Sequence, residues 1–153
     1  MLERLLQGDN FVSGLTEEQV RALDSLGRQA SFEENELILL AGERSKSFYL
    51  LLSGSASVEV ATDFCTICIQ ALAPGDAFGW SSLLDDHDTL FQVRARENCS
   101  VLCLEGVALT ALCEENPALG VKLLQRVLHT VARRVHGLES RLAEFCGLSP
   151  GSR

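Results

Sequence analysis

Residues 48–60 read Phe-Tyr-Leu-Leu-Leu-Ser-Gly-Ser-Ala-Ser-Val-Glu-Val, and this stretch decides the fold. The apolar run 48–52 and the alternating run 56–60 are typical of β-strands, and the Ser-Gly-Ser between them is typical of a turn. Similar short runs recur over residues 30–104, separated by turn residues. This regular spacing predicts a mainly β domain, an antiparallel sandwich or barrel.

Helices are predicted on both sides of the strands. Thr16 followed by Gln19 is a capping box for a helix over residues 15–26, and Gly27 is a typical helix end. A second helical run, residues 106–113, precedes Asn116-Pro117, where a helix is expected to stop.

A long helix is predicted over residues 118–146. Its apolar residues are spaced alternately by three and four positions, which is the heptad pattern of a coiled coil. We therefore predict a homodimer through a seam formed by Val121, Leu124, Leu128, Val131, Val135, Leu138 and Leu142. Arg134, beside the seam, would then meet Glu139 of a partner helix. The alternative is a helix packed on its own β-domain, which Leu123 and Val127, off the seam, are placed to face.

The charge distribution argues against nucleic acid as a partner. The formal net charge is −8, with seven basic and 19 acidic residues up to position 117 and six basic and two acidic residues after it. Domains that bind the phosphate backbone of a nucleic acid are normally basic. The chain also has no apolar run long enough for a membrane-spanning helix and no secretory signal at its start, so a cytoplasmic protein without membrane contact is expected.

Neither a metal site nor a catalytic site is predicted. The six cysteines stand at positions 65, 68, 99, 103, 113 and 146 and are expected to be buried, reduced thiols. Cys65 and Cys68 lie in a predicted strand, where residues three apart point to opposite faces. Iron–sulfur binding or redox sensing is the lesser alternative. His87, His129 and His136 are expected to be exposed, and no nucleophile motif is present.

The order of these parts resembles the cyclic nucleotide-binding domain of the catabolite-activator/FNR (CRP-like) superfamily. The motifs that carry the resemblance are Phe48-Tyr-Leu-Leu-Leu-Ser-Gly54, Leu72-Ala-Pro-Gly-Asp-Ala-Phe-Gly79, Ser82-Leu-Leu84 and Val93-Arg-Ala-Arg96. The resemblance implies an antiparallel β-roll (a jelly roll) with an N-terminal helix and a long C-terminal dimerisation helix. It divides the chain into an extension (1–10), the β-roll (11–117), the long helix (118–146) and a flexible tail (147–153). We expect a stand-alone domain without the DNA-binding helix-turn-helix.

The same resemblance places a ligand site at Phe78, Gly79, Trp80, Ser81, Ser82, Thr89 and Leu90. Phe78-Gly79 matches the family, but Trp80 stands at the position of the ribose-binding carboxylate and Thr89 at that of the phosphate-binding arginine. Arg94 and Arg96 share one face of their strand and are expected to point to solvent. An apolar, uncharged hollow is therefore predicted in place of an anion site.

We therefore predict a small-ligand-sensing regulatory module that does not bind cyclic AMP in the usual way and is not an enzyme. Its effector is expected to be a small, neutral or aromatic molecule. Two alternatives remain open: a genuine cyclic AMP or cyclic GMP binder with a variant pocket, and a ligand-free dimerisation or adaptor protein. An unidentified protein partner fits any of these functions.

Overall fold

The computed structural model describes Leu2, residues 9–84 and residues 89–147. The described strands are β1 (Arg28–Phe32), β2 (Leu37–Leu39), β3 (Ser47–Ser53), β4 (Ala56–Ala61), β5 (Thr66–Leu72), β6 (Ala77–Phe78), β7 (Gln92–Ala95) and β8 (Cys99–Glu105). They form two antiparallel four-stranded sheets, one in the order β1-β8-β3-β6 and the other in the order β2-β7-β4-β5. This confirms the predicted mainly β fold, the antiparallel jelly roll.

The stretch 48–60 connects the two sheets. β3 belongs to the first sheet and β4 to the second, so the turn between them is a corner of the roll. Gly54 at this corner has φ +79°, and a Cβ there would lie 2.5 Å from the Asn98 carbonyl oxygen. Glycine is required because its neighbour is backbone and because L-residues are strained at this φ.

The apolar run in β3 is continuous because both faces of its sheet are covered. Leu51 faces the second sheet, where it packs in a buried cluster with Val58, Phe78 and Val93. Leu50 faces the other way, into a second buried cluster built with the helices. Alternation along a strand sends successive side chains to opposite faces, so a strand covered on both sides is apolar throughout.

Three α-helices flank the roll: α1 (Glu17–Leu26), α2 (Gly106–Glu115) and α3 (Pro117–Phe145). The predicted capping box is present, since Thr16 Oγ1 accepts from Gln19 N–H and Gln19 Oε1 accepts from Thr16 N–H. Asn116 caps α3 by accepting from Leu119 N–H at 3.1 Å. The long C-terminal helix of the predicted fold is thus confirmed. None of the described helices is both long and apolar enough to cross a membrane.

Helix α3 has a buried face and a heptad face. One face, which includes Leu119, Leu123, Thr130 and Arg134, is buried against the rest of the chain. The other carries the heptad residues, and Leu128 on it is 68% exposed. The helix therefore packs on its own β-roll and leaves five of the seven heptad residues exposed, while Val131 and Leu138 are half-buried.

Some sequence expectations fall outside the described residues. These are most of the extension at 1–10, the loop containing His87, and the tail beyond Gly147. The expectation of six buried thiols is wrong for half of them: Cys99 is buried and Cys103 and Cys113 are half-buried, but Cys65, Cys68 and Cys146 are exposed. Cys65 precedes β5 instead of lying in it, because Thr62 closes a turn by accepting from Cys65 N–H.

Candidate functional site

A short 3-10 helix, Trp80–Leu83, follows β6 and presents the centre of the expected ligand site. Gly79 turns the chain into it with φ +78°, and a Cβ on Gly79 would lie 2.7 Å from the Ser47 carbonyl oxygen and 2.9 Å from the Tyr49 ring. The Ser82 hydroxyl donates to the Gly79 carbonyl at 2.7 Å. This hydroxyl therefore fixes the turn, and Ser81 is buried beside it.

Trp80 packs against the long helix. The Arg134 guanidinium carbon lies 6.0 Å from the centre of the Trp80 ring and 5.7 Å from that of Phe91. These are cation–π distances. The contact joins the 3-10 helix, the residue before β7 and the middle of α3, so the Trp80 part of the expected ligand site lies against α3.

Arg134 is the residue that the sequence interpretation misplaced. It is 6% exposed and faces the β-roll, so its predicted pairing with Glu139 of a partner helix is wrong. Burial lowers the pKa of Arg134 to about 10, which still leaves the guanidinium charged at neutral pH. The region beside Trp80, predicted to be an uncharged hollow, is therefore occupied by a positive charge. The sequence carried a signal: Arg134 continues the off-seam stripe of Leu123 and Val127 along the helix.

Thr89 and Leu90 lie at the edge of this region. Thr89 Oγ1 accepts from Phe91 N–H at 3.1 Å, and the Thr89 carbonyl accepts from Gly42 N–H at 2.7 Å. Thr89 thus stabilises the entry into β7. Leu90 is 79% exposed. Phe78, by contrast, is fully buried and stacks on Tyr49 with ring centres 5.0 Å apart.

The expectation that Arg94 and Arg96 point to solvent is correct for Arg96, which follows β7 and has a 55% exposed side chain, and wrong for Arg94 in β7, whose side chain is 28% exposed. Arg94 Nε lies 3.2 Å and Arg96 Nη1 3.5 Å from the carboxylate of Glu59, which is 2% exposed. Burial opposes ionisation of Glu59, but hydrogen bonds from Gln92, Ser57 and Arg94 outweigh it and lower its pKa. Arg94 is therefore held by a carboxylate on the neighbouring strand β4, and Arg96 makes a longer contact with the same carboxylate from the surface.

An apolar cavity of about 360 Å³ lies between α2 and α3. Leu109 and Cys113 line one side, and Val121 and Leu124 of the heptad seam line the other. The seam is thus continuous with an apolar recess.

In the part of the chain that the structure describes, no cluster of three or more histidine, cysteine, aspartate or glutamate residues is arranged to hold a metal ion.

Known proteins resemble this chain in sequence. Residues 29–116 match the cyclic nucleotide-binding domain family. The chain is 25% identical over 124 residues to the potassium channel AKT1 of Oryza sativa subsp. indica, and this match covers 81% of the chain and 13% of the channel. It therefore spans a small part of the length of that relative.

Solved structures resemble it as well. A protein from Geobacter metallireducens GS-15 is 29% identical with a TM-score of 0.72, over 88% of this chain and 97% of that one. The catabolite activator protein of Thermus thermophilus is 23% identical with a TM-score of 0.73, over 89% and 62% of the two chains. A cyclic nucleotide-binding domain from Methylobacillus flagellatus KT is 22% identical with a TM-score of 0.76, over 92% and 78%. The last two likenesses show a shared fold, and the family match covers more than half of the sequence, so this chain belongs to the cyclic nucleotide-binding domain family.

Proposed function

We propose that this domain senses a small ligand at the Trp80 site and reports its presence through helix α3. The observation that supports this is the buried contact of Arg134 with Trp80 and Phe91. Any molecule that enters beside Trp80 must displace or engage a side chain of α3. Occupancy and helix position are thus coupled, which is what a two-state regulatory domain requires.

The ligand is not held in the way usual for the family. The resemblance places Trp80 where the family has a carboxylate for the ribose and Thr89 where it has an arginine for the phosphate. A charge-assisted hydrogen bond contributes about 1.5–3 kcal/mol, so loss of both lowers affinity by roughly two to four powers of ten. Neither Thr89, which stabilises its own turn, nor Arg94, which pairs with Glu59, supplies the missing contact.

Helix α3 is attached to the roll by contacts that are able to change. Arg133 Nη2 lies 2.7 Å from Asp76 Oδ1, and Arg126 Nη2 donates to the Ser13 carbonyl at 2.7 Å. Solvent-accessible ion pairs contribute about 0–1 kcal/mol each. These surface contacts therefore exchange at little cost, while Leu119 and Leu123 keep the N-terminal part of the helix buried.

The second part of the proposal is a homodimer through the heptad seam of α3. Val121, Leu124, Leu128, Val135 and Leu142 are 47–68% exposed in the single chain. Such a continuous apolar surface indicates an interaction site, and heptad spacing fits a second α3. A ligand that shifts α3 on one face would then change the geometry of the dimer on the other.

In this proposal the domain is a cytoplasmic binding module without catalytic activity. The competing function is that of a ligand-free adaptor. Arg134 and Phe91 fill the space beside Trp80, and this favours the adaptor. The two are separated by native mass spectrometry of the freshly purified protein together with calorimetry against cyclic AMP and cyclic GMP. A stoichiometric small molecule, or saturable binding of either nucleotide, supports the sensor. A bare mass with no heat from either nucleotide supports the adaptor.

A further inference from the structure

The unmet hydrogen bonds of the described residues concentrate at one place. Four buried side-chain nitrogen or oxygen atoms in this part of the chain have no hydrogen-bond partner. Three of them are Arg134 Nε, Arg134 Nη2 and Trp80 Nε1, and the fourth is Gln70 Oε1 on β5. Because native proteins satisfy nearly all buried polar groups, such a cluster requires an explanation.

All three atoms at the Arg134–Trp80 contact are donors. The guanidinium carries a positive charge that no carboxylate of a described residue neutralises, and burial alone accounts for its lowered pKa. The aromatic rings offset part of the charge but accept no strong hydrogen bond. A buried charge without a partner is costly unless a ligand or counter-ion completes it.

We propose that Arg134 is the anion-binding residue of the ligand site, with Trp80 Nε1 as an additional donor. This inference rests on the proposed sensing function and specifies the ligand as a small molecule with a phosphate or carboxylate group. A guanidinium matches both groups, because its N–H donors fit two oxygens at once. The anion site is thus provided by α3 instead of by the loop before β7.

The position of Arg134 gives the anion a direct effect on the signal. Arg134 lies on the buried face of α3, and the heptad residue Val135 follows it on the exposed face. When the guanidinium turns from the aromatic rings to the anion, this segment of α3 changes its contact with the roll. The charged part of the ligand, and not its apolar part, therefore sets the position of the helix.

The test uses matched pairs of probes that differ in charge. Trp80 is the one tryptophan of the chain, so its intrinsic fluorescence reports on this site. The probes are cyclic AMP with adenosine, cyclic GMP with guanosine, and benzoate with benzamide. The first two pairs test a phosphate and the third a carboxylate. We expect saturable quenching by at least one anionic probe and none by its neutral counterpart.

The variants are R134M, R134Q and the control R141M. Arg141 lies on the same helix but pairs with Glu144 at the surface, so R141M removes the same charge away from the site. We expect R134M and R134Q to weaken binding of the anionic probe by about 10- to 100-fold, the value of one charge-assisted bond. R141M should bind like the native chain. Without ligand, R134M should melt at the native temperature or above it, since it removes an uncompensated charge; a purely structural Arg134 would lower the melting temperature.

The outcomes separate the two claims. If both members of a probe pair bind equally, or if a folded R134M or R134Q binds as tightly as the native chain, Arg134 is not the anion site although the sensing function stands. The comparison within a probe pair needs no variant, so misfolding of R134M leaves the inference testable. If no probe alters Trp80 fluorescence at millimolar concentration, the anion inference is refuted, and native mass spectrometry decides separately whether the sensing function survives.

Discussion

The substitution Leu128→Glu tests the proposed dimer, because this side chain lies in the middle of the seam. Leu128 is 68% exposed in the single chain, so its replacement leaves the core of the monomer intact. Full burial of a leucine contributes about 1.5–3 kcal/mol, and the exposed two-thirds of two copies therefore contribute about 2–4 kcal/mol to association. This corresponds to an increase in the dissociation constant of about 30- to 1000-fold, and two facing carboxylates add to it.

Sedimentation equilibrium over a range of protein concentrations measures this change. We expect the native chain to be dimeric at micromolar concentration and L128E to be monomeric with an unchanged circular dichroism spectrum. His129→Glu adds the same charge at the next, exposed position outside the seam and should remain dimeric. A native chain that is monomeric at all concentrations, or an L128E variant that dimerises like H129E, would refute the seam.

Three further predictions concern the site and its support. Restoring a cation with Thr89→Arg should raise the affinity for cyclic AMP by about 10-fold or more; unchanged calorimetry would show that Thr89 does not occupy the phosphate position. Gly79→Ala should lower the free energy of unfolding by about 1–3 kcal/mol, because its φ is +78° and the new Cβ would meet backbone; a native urea midpoint would contradict this. Glu59→Gln should cost about 1–3 kcal/mol at pH 7. The pKa of Glu59 is lowered from its usual 4.5, so its ionised form stabilises the fold above that pH and this stabilisation disappears on acidification; an equal urea-midpoint difference at pH 7 and pH 3 would exclude this role.

The parts of the fold that were predictable are those fixed by local signals. The capping box at Thr16 and Gln19 depends on neighbouring residues alone, and the turn at Gly54 is indicated by the local sequence Ser-Gly-Ser. The strands followed from runs of apolar residues between turns. A pattern of this kind predicts a strand or a helix but does not predict which other elements it packs against.

The features that sequence reasoning missed depend on partners distant in the chain. Arg94 was expected in solvent because its pairing with Glu59 requires the register of β7 against β4, where Arg94 faces Ser57 and Gln92 faces Glu59. Arg134 was misplaced because the heptad pattern accounts for one face of α3, whereas Arg134 lies on the second face. Each miss arose where tertiary packing decided the surroundings of a polar side chain.

The most direct test is a crystal structure of the native chain with its co-purified or added ligand in place. We predict electron density for a small anion beside Trp80, with an oxygen within hydrogen-bond distance of Arg134 Nε or Nη2 and with α3 displaced from its present position on the roll. A ligand whose charged group contacts other residues while Arg134 stays on Trp80 and Phe91 would contradict the account.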